Sequence, residues 1–265
     1  MAQGRDTLKK LTAHPYVELT PRGNAAIFCA LYLAKKAGKT KVLIPDQGGW
    51  FTFKTYPNIL GMEIEIIKTN DGIIEHVPVA DKTALLYAQP AGYFAEQDME
   101  VIQQQCKGQT MVIADVSGSI GDAMCDGRYA DILVGSFSAW KPVNIGYGGF
   151  LSVKEKSLLD GGKEILSLHK VCPLLEKELV KKIENLPKRY TLFSHHVKKI
   201  KHAFQKYNII HPEKKGVNVV MGYGNEKEKE EITAYCKKNA YQFTFCPRYI
   251  RVMKPAISIE VKRLE

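Results

Sequence analysis

Apolar and polar positions switch between helical and strand spacing through the first two-thirds of this chain. Ala25 to Ala37 carries apolar residues at helical spacing and closes at Gly38, so a helix is expected there. Lys41 to Pro45 (KVLIP) is a short apolar run of strand length. Phe51 to Leu60 reads as a helix ended by Gly61, with Pro57 set against its middle. Glu63 to Lys68 alternates as a half-buried strand does, and Thr83 to Tyr87 is a further strand. A helix follows over Glu96 to Cys106, then strands over Thr110 to Ala114, Asp131 to Phe137 and Gly149 to Val153. This alternation predicts an α/β fold, a mostly parallel sheet with helices on both faces.

The pattern changes beyond Val153. Residues 155 to 210 read as helical and lysine-rich. Val217 to Met221 reads as a strand, Glu226 to Asn239 as a charged helix, and Gln242 to Cys246 and Ile257 to Val261 as strands. This βαββ order predicts a small α+β unit. We expect a large α/β domain over residues 1–165 and a small C-terminal α+β domain over 166–265.

Composition narrows the class. The 265 residues are 45% hydrophobic and 25% charged, as in an ordinary soluble globular protein. No apolar run is long enough to span a bilayer, and Met1 to Asp6 lacks the apolar core of a signal peptide. A cytoplasmic location without a membrane partner is therefore expected. Six cysteines are scattered with no CxxC pair, which argues against a zinc site and a disulfide framework. The formal net charge of +10 fits an RNA partner, a nucleotide-bearing substrate or a lysine-rich solvated surface. The excess concentrates between Lys170 and Lys215, with lysines alternating with apolar residues at helical spacing. Solvated helix faces account for it, and no aromatic-interleaved basic motif of a nucleic-acid fold appears.

One stretch carries chemistry. The apolar run Met111 to Ala114 ends in Asp115. Downstream lies Ser136-Phe137-Ser138-Ala139-Trp140-Lys141-Pro142, running on to Gly148-Gly149 and another strand. A carboxylate at a strand end and a lysine in a serine-rich turn fit pyridoxal 5'-phosphate. The amine can hold that cofactor as a Schiff base, and the carboxylate can keep its ring nitrogen protonated. An aspartate there can alternatively cap a turn, and Ser117 points the same way toward the ring substituents. Lys141 is flanked by Trp140 and Pro142, so desolvation favours its neutral, nucleophilic form.

Other segments can complete the site. Gly23, Asn24 and Ala25 precede or open a helix, where free amides and the helix dipole favour a phosphate. Asn24 can alternatively serve only as an N-cap. Ser136 and Ser138 can add hydroxyl donors, or simply shape the turn. Trp50, in a loop after a strand, can stack on a cofactor ring or pack in a core or interface. The turn Gln89 to Tyr93 can help line the pocket. Arg22, Arg248 and Arg251 are candidates for carboxylate or phosphate contacts.

These motifs resemble fold-type I pyridoxal-phosphate enzymes, specifically the DegT/DnrJ/EryC1/StrS sugar aminotransferase family, over roughly residues 15 to 155. The family's Schiff-base lysine matches Lys141, its pyridine partner Asp115 and its phosphate-binding serine Ser136. Its phosphate turn matches Gly23 to Ala26, and the loop bearing its ring-stacking aromatic matches the Trp50 region. The chain departs from the family at Gly118, where members often carry Gln, Glu or His. It departs again at Asn24, where Thr is usual, and in a shorter C-terminal part. The resemblance implies an aminotransferase that moves an amino group from a small-molecule donor to a keto-sugar nucleotide or another small carbonyl acceptor. It also implies a homodimer with sites at the interface. Alternatives are another pyridoxal-phosphate reaction, such as a lyase or a tRNA-linked conversion, and a non-catalytic cofactor-binding regulator.

Overall fold

The computed structural model describes residues 3–265. Seven strands form the main sheet: β1 (Tyr16–Thr20), β2 (Lys41–Pro45), β3 (Glu63–Ile67), β4 (Thr83–Ala88), β5 (Met111–Asp115), β6 (Ile132–Ser136) and β7 (Gly149–Val153). Their order is β1-β7-β6-β5-β4-β2-β3. β7 runs antiparallel to both neighbours, β1 and β6, whereas β6-β5, β5-β4, β4-β2 and β2-β3 are parallel pairs. The segment joining β6 to β7 contains no helix to carry the chain back across the sheet, so β7 returns antiparallel. That segment carries Lys141.

Alternate strand residues supply two cores. On one face Ala84 and Leu86 of β4 and Val134 of β6 meet Ala26, Ala30 and Leu33 of α2 (Gly23–Lys36). On the other, Leu85, Tyr87 and Leu133 meet three helices. These are α1 (Gln3–Thr12) through Leu8, α4 (Met99–Cys106) through Ile102, and α7 (Leu174–Glu184) through Leu175 and Leu179. Small residues along α2 let it cross β6 and β7 closely. A short helix, α3 (Tyr56–Ile59), and two more, α5 (Lys156–Asp160) and α6 (Lys163–Leu168), add to the α2 face.

A second sheet holds β8 (Val219–Gly222), β9 (Phe243–Cys246) and β10 (Ala256–Ile259), antiparallel in the order β8-β10-β9. α8 (Leu186–Ala203) and α9 (Glu226–Lys238) cover it, packing Phe193, Ile200, Ile232 and Cys236 against Val219, Met221, Ile257 and Ile259. Among the described residues no helix is long and apolar enough to cross a membrane.

Some local expectations are corrected. Phe51 to Leu60 is not one helix. A 3₁₀ turn, Phe51–Phe53, precedes α3, and Pro57 sits in the first turn of α3, where a missing N–H costs nothing. The helix expected from Glu96 starts at Met99, because Asp98 caps it by accepting the Val101 N–H at 3.0 Å. Within the stretch expected to be helical, residues 155 to 210, the last helix ends at Ala203.

Candidate active site

A cavity of about 180 Å³ lies at the carboxyl ends of β5 and β6, the edge where open α/β sheets bind ligands. Gly23, Asn24, Trp50, Asp115, Ser117, Ser136, Ser138 and Lys141 all line it, together with Arg22, Tyr93 and Tyr147.

One wall is the start of α2. Arg22 occupies the N-cap position in extended conformation, and its side chain makes no cap hydrogen bond. The amides of Gly23, Asn24 and Ala25 therefore lack intrahelical acceptors. Ser136 stands directly against Gly23: a Cβ there would lie 2.5 Å from Ser136 Cβ and 2.9 Å from its Oγ, so only glycine fits. Ser136 Oγ donates to Ser138 Oγ at 3.0 Å. Gly149 is similarly constrained, since its Cβ would lie 2.8 Å from Gly23 N. The Gly-Gly lead of β7 thus lets that strand start beside the helix terminus. Helix-terminal amides and two hydroxyls share one corner, a donor set of the kind that suits an anion.

Asn24 is not an N-cap. It lies inside the first turn, and its Oδ1 accepts from Trp50 Nε1 at 2.8 Å, which fixes the indole over the cavity. Ala25 does not line this cavity. It faces a neighbouring one that shares Arg22 and Asn24.

Asp115 ends β5 and is buried. Its Oδ1 accepts the Ser117 N–H at 2.9 Å, and no cation lies within 4 Å of it among the described residues. Burial raises its pKa, and the Ser117 hydrogen bonds and the Lys141 charge oppose that rise only in part. A buried carboxylate facing a cavity without a partner is suited to a cationic ligand group. The Ser117 hydroxyl accepts the Ser136 N–H at 2.9 Å, linking the β5 and β6 ends.

At the lysine the usual pattern is inverted. Lys141 is 8% exposed, whereas Trp140 beside it is 48% exposed with a left-handed φ of +64°. Lys141 Nζ donates to Tyr93 Oη at 2.5 Å and lies 5.4 Å from the Trp50 ring centre.

Two arginine expectations are corrected. Arg248 is exposed and does not line the cavity. Arg251 is buried and committed to Glu260, donating from Nη2 to both carboxylate oxygens at 2.9 and 2.7 Å. Arg22 alone of the three reaches the cavity, and it has no carboxylate within 4 Å among the described residues.

The sequence reading missed what lies behind Tyr93. Glu260 is buried with Arg251 and with Lys262, whose Nζ is 3.4 Å from its Oε2. Burial disfavours the Glu260 carboxylate, but Arg251 and Lys262 outweigh it and bring its pKa to about 2. Burial pushes Lys262 down to about 7, with Glu260 opposing. Between about 7 and the ordinary lysine value of 10.5, the unfolded chain then holds the extra proton. Stability contributed by this group therefore rises with pH, by at most about 1.4 kcal/mol per unit. Lys262→Met should flatten the rise in the urea midpoint from pH 7 to 9; parallel profiles for the two proteins would contradict this assignment.

Solved structures share this architecture. MetB from Corynebacterium glutamicum matches with a TM-score of 0.76 at 11% identity, covering 99% of this chain and 80% of its own. NtdA from Bacillus subtilis, solved with bound cofactor PMP, matches at 0.75 and 16%, covering 99% and 73%. PseC from Helicobacter pylori, an aminotransferase involved in the biosynthesis of pseudoaminic acid, matches at 0.74 and 14%, covering 97% and 84%. The chain has the type I fold of pyridoxal-phosphate-dependent enzymes. At these identities the likeness is one of fold. Residues 187–265, from the second residue of α8 onward, match the MJ1341 family C-terminal domain. No curated protein matches the chain.

Proposed function

We propose that this protein is a pyridoxal-phosphate-dependent, aminotransferase-like enzyme. Lys141 would hold the cofactor, and an amino donor would serve a keto-sugar nucleotide or another small carbonyl acceptor. The observation that carries this reading is one cavity uniting a buried lysine amine, a buried carboxylate without a cation and an uncapped helix terminus. An aminotransferase among the fold neighbours is in keeping with the reaction class. Bound there, pyridoxal phosphate supplies an aldehyde carbon for the amine and a protonated ring that draws electrons from a substrate Cα.

The chain's own groups have separable tasks. The α2 amides with Ser136 and Ser138 bind the phosphate. Asp115 holds the positive charge at the ring nitrogen. Trp50, fixed by Asn24, offers a flat face for the ring. Lys141, once free, takes the Cα proton and returns it. Arg22, exposed at the mouth, is placed for a donor carboxylate. Exposed Phe51, Trp140 and Tyr147 border the site and suit burial by a second copy, in keeping with a homodimer.

Ser136→Ala should weaken binding of pyridoxal phosphate by about 1–3 kcal/mol, the cost of a hydrogen bond to a charged group. Binding of pyridoxal, which has no phosphate, should barely change. Equal losses for the two ligands would remove Ser136 from the phosphate site.

The reaction class is tested by mixing the cofactor-loaded protein with L-glutamate and no acceptor. Stoichiometric conversion of the cofactor to pyridoxamine phosphate, reversed by a keto acceptor, is expected. Consumption of the donor with the cofactor form unchanged would point to another pyridoxal-phosphate reaction. No consumption at all would point to a binding protein.

A further inference from the structure

Tyr93 sits in the turn after β4 with φ of +70°, a left-handed backbone that bulky aromatic residues rarely adopt. The C-terminal part of the chain holds it there. Its carbonyl accepts the amides of Val217 at 2.8 Å and Asn218 at 3.0 Å, just before β8. Its ring lies among three basic side chains, with Lys141 Nζ 4.6 Å, Lys262 Nζ 4.9 Å and the Arg251 guanidinium 5.1 Å from its centre. Arg251 and Lys262 are both fixed by the buried Glu260 carboxylate.

Gly118 makes the room. A Cβ at that position would lie 2.8 Å from Tyr93 Cδ1 and 3.0 Å from Pro90 Cδ. A side chain at 118 and the ring of Tyr93 therefore exclude one another. Three independent features, the left-handed backbone, the empty position 118 and the buried cluster, converge on one result: a phenol oxygen 2.5 Å from Lys141 Nζ.

We propose that Tyr93 is a positioning residue for the Lys141 amine, held in register by the Arg251–Glu260–Lys262 cluster of the C-terminal sheet. A lysine acting as a base has a free amine, and the free amine can make this contact. When the amine has taken a proton, the phenol oxygen accepts one of its N–H bonds and keeps the ammonium over the cavity until the proton is returned. The C-terminal sheet thereby contributes to the lysine site without lining it. This role rests on the reading of Lys141 given above.

Two measurements test it separately. In the cofactor-free protein at pH 7, trace acylation of each lysine is followed by peptide mass spectrometry, with exposed Lys156 as the reference. Tyr93→Phe keeps the ring and removes only the oxygen. It should raise Lys141 labelling about three- to tenfold, the equivalent of one net hydrogen bond. Gly118→Ala, which displaces the ring but keeps the hydroxyl, should do the same. In the loaded protein, Tyr93→Phe should slow α-proton exchange of an amino donor roughly tenfold or more, with KM and cofactor content unchanged. If Lys141 labelling and exchange in Tyr93→Phe both equal wild type, the tyrosine only fills space and the proposal is overturned. If wild type carries no cofactor on Lys141, the enzymatic reading fails, and the acylation result still decides whether Tyr93 positions the amine.

Discussion

Lys141→Ala should leave a protein that still binds pyridoxal phosphate but no longer attaches it, with α-proton exchange of an amino donor slowed by about 10²- to 10⁴-fold. The two effects separate because the cavity divides the work. The proposed phosphate corner is built by α2, Ser136 and Ser138, and the carboxylate by β5, so neither depends on the lysine side chain. The amine itself is buried, and among the described residues Lys141 is the only lysine lining the cavity. No neighbouring lysine can take over, since Lys262 is tied to Glu260. Added methylamine should restore part of the exchange in the alanine variant, because a small amine fits the vacated volume. Equilibrium dialysis for cofactor content and deuterium exchange at the donor Cα measure the two halves. Undiminished exchange would remove Lys141 from the chemistry.

Asp115→Asn should have the second largest effect and an opposite one on stability. Exchange at Cα should slow about a hundredfold or more, because the fixed charge that stabilises electron density drawn into the ring is lost. Attachment at Lys141 should persist. The folded chain, in contrast, should become no less stable without cofactor. Burial holds the Asp115 pKa above its ordinary value, so the folded chain retains this proton more readily than the unfolded chain. The contribution of this group to stability is therefore greatest at low pH and lost as pH rises through the folded-state pKa. An amide of the same shape removes that liability. A melting temperature for Asp115→Asn at pH 7 well below wild type would show that the carboxylate is a structural partner and not a ligand-facing one.

The parts of this molecule legible in its sequence are those set by local pattern. β2, β4, β5 and β6 are buried on both faces and read as short apolar runs. Asp115, Ser136, Ser138 and Lys141 were legible because strand ends and a serine-rich turn place them at one sheet edge. β1 escaped notice because it is a five-residue edge strand carrying a polar Glu18. The direction of β7 was equally hidden, since alternation marks a strand but not its sense. Asn24 was ambiguous because the true N-cap position falls two residues earlier, on a residue whose side chain does not cap. Arg251 looked available because its partner, Glu260, reaches it only through the antiparallel fold of the small sheet. The placement of Tyr93 depends on a left-handed backbone and on contacts from residues 217, 218, 251 and 262, which no local pattern encodes.

The central claim is that Lys141 forms the covalent bond to the cofactor. Wild-type protein loaded with pyridoxal phosphate, reduced with borohydride and digested should yield one pyridoxyl-modified peptide, with the added mass on Lys141. A modification on another lysine, or a loaded protein from which the cofactor is lost unreduced, would contradict it.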